Sequence, residues 1–426
     1  MKWNLRKTAM AILITVMTVT TVMTVTTVTA AENVPSPKET YRIVALGDSI
    51  TVGYEPGMTG KSVPYGYVDR LYEQALFHKR AELANYAIMG LQTPGLINLL
   101  QGAADGKPLK AADLQDFSSL PDGVPQQADS VALKTQQIAT DLAKANLVVM
   151  TIGGNDFGDF IKTMLKQSTE DAKKYVQDNF DSLMNKYTTN LDKMIRQLHV
   201  LAPNAQIILA DQYLPLPTGH ALYADLSAAV KKLSGRLTEF TDGLSKEGIP
   251  VTIAPVSTKF VNNETNYTYI ALFDGNDNHP KQAGYEAIAQ TFAELIWKQY
   301  LKPAPRAADV PLSIVINGKE PPNKPTTVKN TTFLALTDVA SAVGANLKWI
   351  QKTKTAVFSK DGREVIITVG AKTIIVNGVT QPLDTPAYFQ QVGKIQKTYV
   401  PLAVISTGLN YQVIFSKKLM TAFINS

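Results

Sequence analysis

Apolar residues from Tyr41 to about Tyr300 come in two alternating textures. "LVVMTI" (Leu147–Ile152) and "QIILA" (Gln206–Ala210) are short continuous apolar runs, the pattern of strands buried on both faces, and "YRIVAL" reads as another buried strand. "AELANYAI" and "VTIAPV" (Val251–Val256) predict two more strands. Between them lie amphipathic stretches such as "PYGYVDRLYEQALFHKR", "LQTPGLINLLQ" and "YTTNLDKMIRQLHVLAP", which predict helices. Strand–helix alternation of this kind predicts an α/β class, a parallel sheet between two helical layers.

Two segments interrupt the rhythm. Gln101 to Val131 is rich in Gly, Pro, Asp and Ala and predicts an inserted loop; Phe157 to Tyr187 predicts inserted helix. Each follows a strand that carries a motif, so both are candidate covers for a site, the first as a lid or substrate wall. "LKPAPRAADVP" (Leu301–Pro311) predicts a linker. Beyond it the texture changes to short strands and turns and repeats itself. "IVINGK" (Ile314–Lys319) matches "IIVNGV" (Ile374–Val379), and "TFLALTDVASAVGANLKW" (Thr332–Trp349) matches "TYVPLAVISTGLNYQVIF" (Thr398–Phe415). Each copy predicts a strand, an Asn-Gly turn, then strand, short helix and strand, so the two copies make one small α+β domain.

Composition changes this picture in two places. Cysteine is absent, which removes disulfides, thiolate metal sites and cysteine nucleophiles. The net charge of +6 is unevenly spread: residues 306–426 carry an excess of about +8. Such a module suits an anionic surface such as a cell wall, while no basic helix or aromatic-basic motif points to nucleic acid. The N-terminus has a positive start (Lys2, Arg6, Lys7), a long apolar and Thr-rich run, and small residues at Val28-Thr29-Ala30. That is the layout of an export signal, so residues 1–31 are set aside and the protein is expected to be secreted or held at the cell surface. An uncleaved anchor is the alternative; no later segment is apolar and long enough to span a bilayer.

Candidate chemistry lies just after the strands, where open α/β sheets bind ligands. Gly47-Asp48-Ser49 follows "YRIVAL"; alone it is also a common turn composition. "NYAIMG" places Gly90 after the second strand. Gly153-Gly154-Asn155-Asp156 follows "LVVMTI", and an Asn amide there suits a developing oxyanion. Of the four histidines, His78 and His199 fall within predicted helices and His220 in a Pro-rich loop. Only His279, in "FDGNDNHP", stands among acidic and amide residues. A histidine is the usual base for a serine.

The order Gly-Asp-Ser, Gly, Gly-x-Asn-Asp, His-Pro resembles the SGNH hydrolases, also called GDSL esterases and lipases, over about Tyr41 to Tyr300. The resemblance implies a three-layer, flavodoxin-like fold and a carboxylic ester hydrolase without cofactor or metal, acting on a small-molecule, lipid or acyl-sugar ester. It implies Ser49 as nucleophile, His279 as general base, and the Ser49 N–H, the Gly90 N–H and the Asn155 side chain as oxyanion donors. Asp48 and Asp156 match motif positions and are expected to support the loops. The family usually has Asp three residues before the His, where this chain has Asn276. A loop shorter by one residue would let Asp277 serve; Asp274, or backbone support alone, are the alternatives. Removal of O-acetyl groups from wall polysaccharide lies within the same class. A catalytically weak or inactive protein of this fold that binds carbohydrate at the cell surface is the competing reading. Tyr54, Tyr65 and Tyr67 are candidate walls of a groove. Residues 312–426 resemble the copper amine oxidase N-terminal-like domain, through the paired "NG" turns, "YVPLAVIS" and "VGANLKW". They contain neither His nor Cys and are expected to attach or space rather than bind copper.

Overall fold

The computed structural model describes residues 39–59, 61–271 and 277–426. The proposed signal segment, Asp274 and Asn276 lie outside them. Five strands form one parallel sheet: β1 (Tyr41–Gly47), β2 (Ala81–Asn85), β3 (Leu147–Thr151), β4 (Gln206–Ala210) and β5 (Val251–Ala254). Their order is β2-β1-β3-β4-β5, all parallel. This is the flavodoxin-like order, with its switch point between β1 and β3.

Side chains alternate across the sheet, because successive residues of a strand point to opposite faces. Val44, Leu46, Val148, Met150, Ile207 and Leu209 join one core. Ile43, Ala45, Leu147, Val149, Ile208 and Ala210 join the other. Two-sided burial is why these runs contain almost no polar residue.

The helices, in chain order, begin with α1 (Ser49–Val52), α2 (Tyr67–His78), α3 (Thr93–Ala104), α4 (Ala111–Leu114), α5 (Val124–Ala132) and α6 (Thr135–Ala143). There follow α7 (Gly158–Leu165), α8 (Thr169–Leu201), α9 (Tyr223–Lys246), α10 (Val256–Phe260), α11 (Glu264–Tyr267) and α12 (Gln282–Trp297). Layer one is built chiefly by α3, α6, α8 and α9, and layer two by α2 and α12. The segment expected to be a loop, 101–131, instead holds α4 and α5. Pro125 sits in the first turn of α5, where its fixed φ favours the helix and its missing N–H costs nothing. Among the described residues no helix is long and apolar enough to cross a membrane.

The C-terminal part carries both expected Asn-Gly turns. Asn317 and Gly318, like Asn377 and Gly378, have positive φ (46°, 78°, 50° and 81°), which is the conformation a tight primed hairpin turn requires. Strand, helix and strand follow twice: Thr331–Ala335, Leu336–Val343, Asn346–Ile350, and again Ile395–Pro401, Leu402–Gly408, Gln412–Ser416. A spacer would stand clear of the α/β part, yet this one is packed on it. Phe423 meets Phe77 of α2 edge to face at 4.9 Å, and Ser416 Oγ donates to Glu73. Gln412 uses its side-chain amide like a strand backbone on the sheet's edge. It accepts from Ala81 N at 3.0 Å and donates to Ala81 O at 2.7 Å.

Candidate functional site

β1 ends at Gly47, whose φ is 123° and where a Cβ would lie 2.1 Å from the Thr151 carbonyl oxygen. Only glycine lets the end of β1 run this close to β3. The chain then turns, and Ser49 opens α1, capped by Asp48, which accepts from Ile50 N at 3.0 Å. The Asp48 carboxylate is buried and also accepts from Thr151 Oγ1 at 2.8 Å. Thr151, Thr51 and Tyr67 continue this hydroxyl chain at 2.7 and 2.9 Å. Burial pushes Asp48 up to about 6, with its hydrogen bonds opposing the rise. Asp48 therefore braces the turn from behind.

His279 reaches Ser49 from the other end of the part. Its Nε2 lies 2.7 Å from Ser49 Oγ, and its Nδ1 lies 2.8 Å from Asp277 Oδ1. The same Asp277 oxygen accepts the His279 backbone N–H at 2.9 Å. An Asp two residues ahead closes an Asx turn and holds the ring with one atom. Burial opposes the Asp277 charge, but its bonds from His279 outweigh burial and hold the carboxyl below its ordinary value. Backbone bonds fix the loop: Tyr213 OH donates to Asn278 O at 2.8 Å, and Tyr269 N to His279 O at 3.1 Å. The Tyr54 ring stands edge-on to the imidazole at 4.7 Å.

The three expected donors lie in the stretches that follow β1, β2 and β3. Among the described residues neither the Ser49 N–H nor the Gly90 N–H has a hydrogen-bond acceptor. Gly90 has φ 72°, and a Cβ there would strike Leu120 Cδ1 at 2.1 Å. Asn155 Nδ2 donates to Leu91 O at 3.0 Å, which leaves the second hydrogen of its NH₂ group. Asp156 ties the β3 loop to α3 by accepting from Thr93 N at 3.0 Å. Burial raises its carboxyl, again against its hydrogen bonds.

Of the expected groove tyrosines, only Tyr54 touches the site. Tyr67 is fully buried behind it, and Tyr65 OH donates to Glu73 at 2.6 Å beneath the C-terminal part. The groove lies elsewhere. An apolar cleft of about 330 Å³ opens beside Ile50, Gly154 and Asn278, the chain neighbours of Ser49, Asn155 and His279. Its walls are α7 and α8 on one side, and on the other the residues after β4 and the start of α9. The expected insertion 157–187 thus borders the site. The segment "YLPLP" (213–217), not singled out from the sequence, supplies the facing wall. It too follows a strand, the position rule that marked the other motifs.

The pattern of the GDSL-like Lipase/Acylhydrolase family matches residues 45–287, and that of the Copper amine oxidase N-terminal domain matches residues 315–424. The second stretch has no His or Cys, so its residues do not fit copper. The uncharacterized protein YpmR of Bacillus subtilis strain 168 is 22% identical over 270 residues, 62% of this chain and 84% of that protein. Among solved structures, the lipase Lip_vut3 from a goat rumen metagenome aligns with 61% of this chain and 98% of its own, at 18% identity and TM-score 0.39. Phospholipase A1 from Streptomyces albidoflavus NA297 aligns with 61% of this chain and 99% of its own, at 17% identity and TM-score 0.38. Since the first pattern spans more than half of the chain, the protein belongs to the GDSL-like lipase/acylhydrolase family.

Proposed function

We propose that this protein hydrolyses carboxylic esters through an acyl-serine intermediate on Ser49. The observation that carries the reading is the hydrogen-bonded line from Asp277 through His279 to Ser49 Oγ. In this reading His279 Nε2 takes the Ser49 proton as Oγ attacks the ester carbonyl. The carbonyl oxygen gains charge and is met by the Ser49 N–H, the Gly90 N–H and the Asn155 amide. His279 then protonates the leaving alcohol, and the same base activates the water that releases the acid. Asp277 keeps Nδ1 protonated and stabilises the imidazolium. Its bond to the ring favours an active enzyme over a degraded one, because the role that Asn276 leaves open is taken by its neighbour. The first test is Ser49→Ala on p-nitrophenyl esters, with fluorophosphonate labelling of the native protein. The expected result is a loss of about 10⁴-fold or more in kcat and labelling confined to Ser49. Full activity in Ser49→Ala overturns the assignment.

We further place the protein outside the cell. The charged and apolar N-terminus supports export, and the basic residues of 306–426 support contact with an anionic wall. Sedimentation with isolated cell walls at low and high salt tests this; salt-insensitive or absent binding rejects it.

A further inference from the structure

We infer that the cleft beside Ser49 is a binding site for an unbranched acyl chain, and that this enzyme acts on medium- to long-chain esters in preference to acetyl esters. The chemistry rests on the ester-hydrolase reading above, but the site itself does not.

The walls are Phe160 and Met164 of α7, Leu216 after β4, and Leu226 and Ala229 of α9, with Ile50 at the serine end. Of its polar side chains, Gln212, Tyr213 and His220 each hold a backbone group, and Asn278 stands at the serine end beside His279. Gln212 Nε2 donates to Ile152 O at 2.9 Å, and His220 Nδ1 accepts from Leu222 N at 3.1 Å. A sugar hydroxyl entering this space would give up its water partners for few replacements, which is unfavourable. A methylene chain would not. At roughly 30 Å³ for a water-sized group, a cleft of about 330 Å³ takes on the order of ten methylenes. An acetyl group would leave nearly all of it without a ligand.

The cleft is also more than a packing defect of the main fold. Phe160, Met164, Ala172, Val176, Leu222 and Ala229 form a small core of their own, separate from the two cores flanking the sheet. The insertion 157–187, the segment after β4 and the start of α9 supply apolar residues to a wall that faces a gap. On the rim, Ile161 and Leu165 line the mouth while remaining 37% and 51% exposed, continuing the apolar track outward. We assign the acyl half of the ester to this track rather than the alcohol. The acyl half stays on Ser49 through both steps, whereas the alcohol must leave after the first.

The experiment has two arms. In the kinetic arm, p-nitrophenyl acetate, butyrate, octanoate, decanoate and palmitate are compared. The expected kcat/KM rises about fourfold per methylene and levels off near decanoate. Leu226→Trp, which fills the cleft, lowers the decanoate-to-acetate ratio by about tenfold or more. Leu165→Ala at the mouth, a milder change, lowers the ratio in the same direction. In the binding arm, decanoate and acetate are titrated into Ser49→Ala by calorimetry. Decanoate binds, acetate does not, and the double variant Ser49→Ala/Leu226→Trp loses decanoate. A series that is flat or falls from acetate overturns the inference. So does decanoate binding no tighter than acetate. If no ester is cleaved and Ser49 takes no label while decanoate still binds in the Leu226-dependent way, the hydrolase reading fails and the chain site stands.

Discussion

The two inserted segments, 101–131 and 157–187, look alike by position, since each follows a strand that carries part of the site. They do different work. The first turns its apolar residues inward: Leu114, Phe117, Val124, Ala128 and Val131 join the main core under α3 and α6. Its glutamines then hold the loop from Ala87 to Gln92. Gln127 accepts from Met89 N at 3.1 Å and donates to Ala87 O at 2.9 Å. Gln115 accepts from Gln92 N at 2.8 Å and donates to Gly90 O at 2.9 Å. The second segment builds a small core outside the main one and faces an open cleft. The difference teaches that an insertion beside a site is a brace when its apolar face is buried in the scaffold, and a substrate wall when that face is left to a gap. On the proposed reading, the brace would govern rate and the wall would govern which ester.

The largest expected effect separates the two by stability. Phe117 is 4% exposed within the main core, so Phe117→Ala is expected to cost about 3–5 kcal/mol. Phe160 belongs to the small outlying core, where the surroundings can collapse. Phe160→Ala should therefore cost clearly less and shift the preferred acyl chain to greater length. Urea unfolding of both variants, with the ester series, checks this. Equal losses of stability and an unchanged profile for Phe160→Ala would erase the distinction.

Next in size is the contact between brace and donor. A Cβ on Gly90 would meet Leu120 of the first insertion, and φ at 72° adds strain for any other residue. Gly90→Ala is expected to lower kcat by about 10²–10³-fold, the loss typical of one misplaced oxyanion donor, with KM little changed. Adding Leu120→Ala should restore part of this by removing the clash and leave the strain. A double variant no better than the single would place the whole effect in the backbone.

How much of this was legible in the sequence follows from where each feature's determinants lie. β1, β3 and β4 were legible because two-sided burial writes an unbroken apolar run. Ser49, Gly90, Asn155 and His279 were legible as a set, each beside a strand end. Asp277 stands first among the partners the sequence offers His279, with Asp274 and backbone support as alternatives, because a shift of one residue cannot be read from spacing alone. Its Asx turn, an Asp two residues before the residue it holds, is the local signal that favours it. Tyr67, a candidate for a groove wall or for packing, is packing. It lies on the buried face of α2 with Leu71, and helical spacing carried that information. Of the cleft only the 157–187 wall was legible, since stretches near residues 50, 154–180, 212–233 and 270–278 make it together and the others are not unusual alone.

The smallest effect is the sharpest test of the comparison. Gln115 touches neither Ser49 nor the cleft, and its amide ties the first insertion to Gly90 O and Gln92 N, while Gln127 holds the residues before Gly90. Replacing it by Ala removes two hydrogen bonds at a partly buried position, where water replaces part of the loss. About 1 kcal/mol of loop anchoring is then at stake, or roughly a fivefold fall in kcat if that energy is what holds the Gly90 N–H in line. The decanoate-to-acetate ratio should not move, because the wall is intact, and Gln115→Glu should recover less than the native residue, since a carboxylate cannot donate to Gly90 O. A Gln115→Ala variant that keeps kcat but changes the ratio would show that the first insertion also reaches the substrate, and the division between brace and wall would fall.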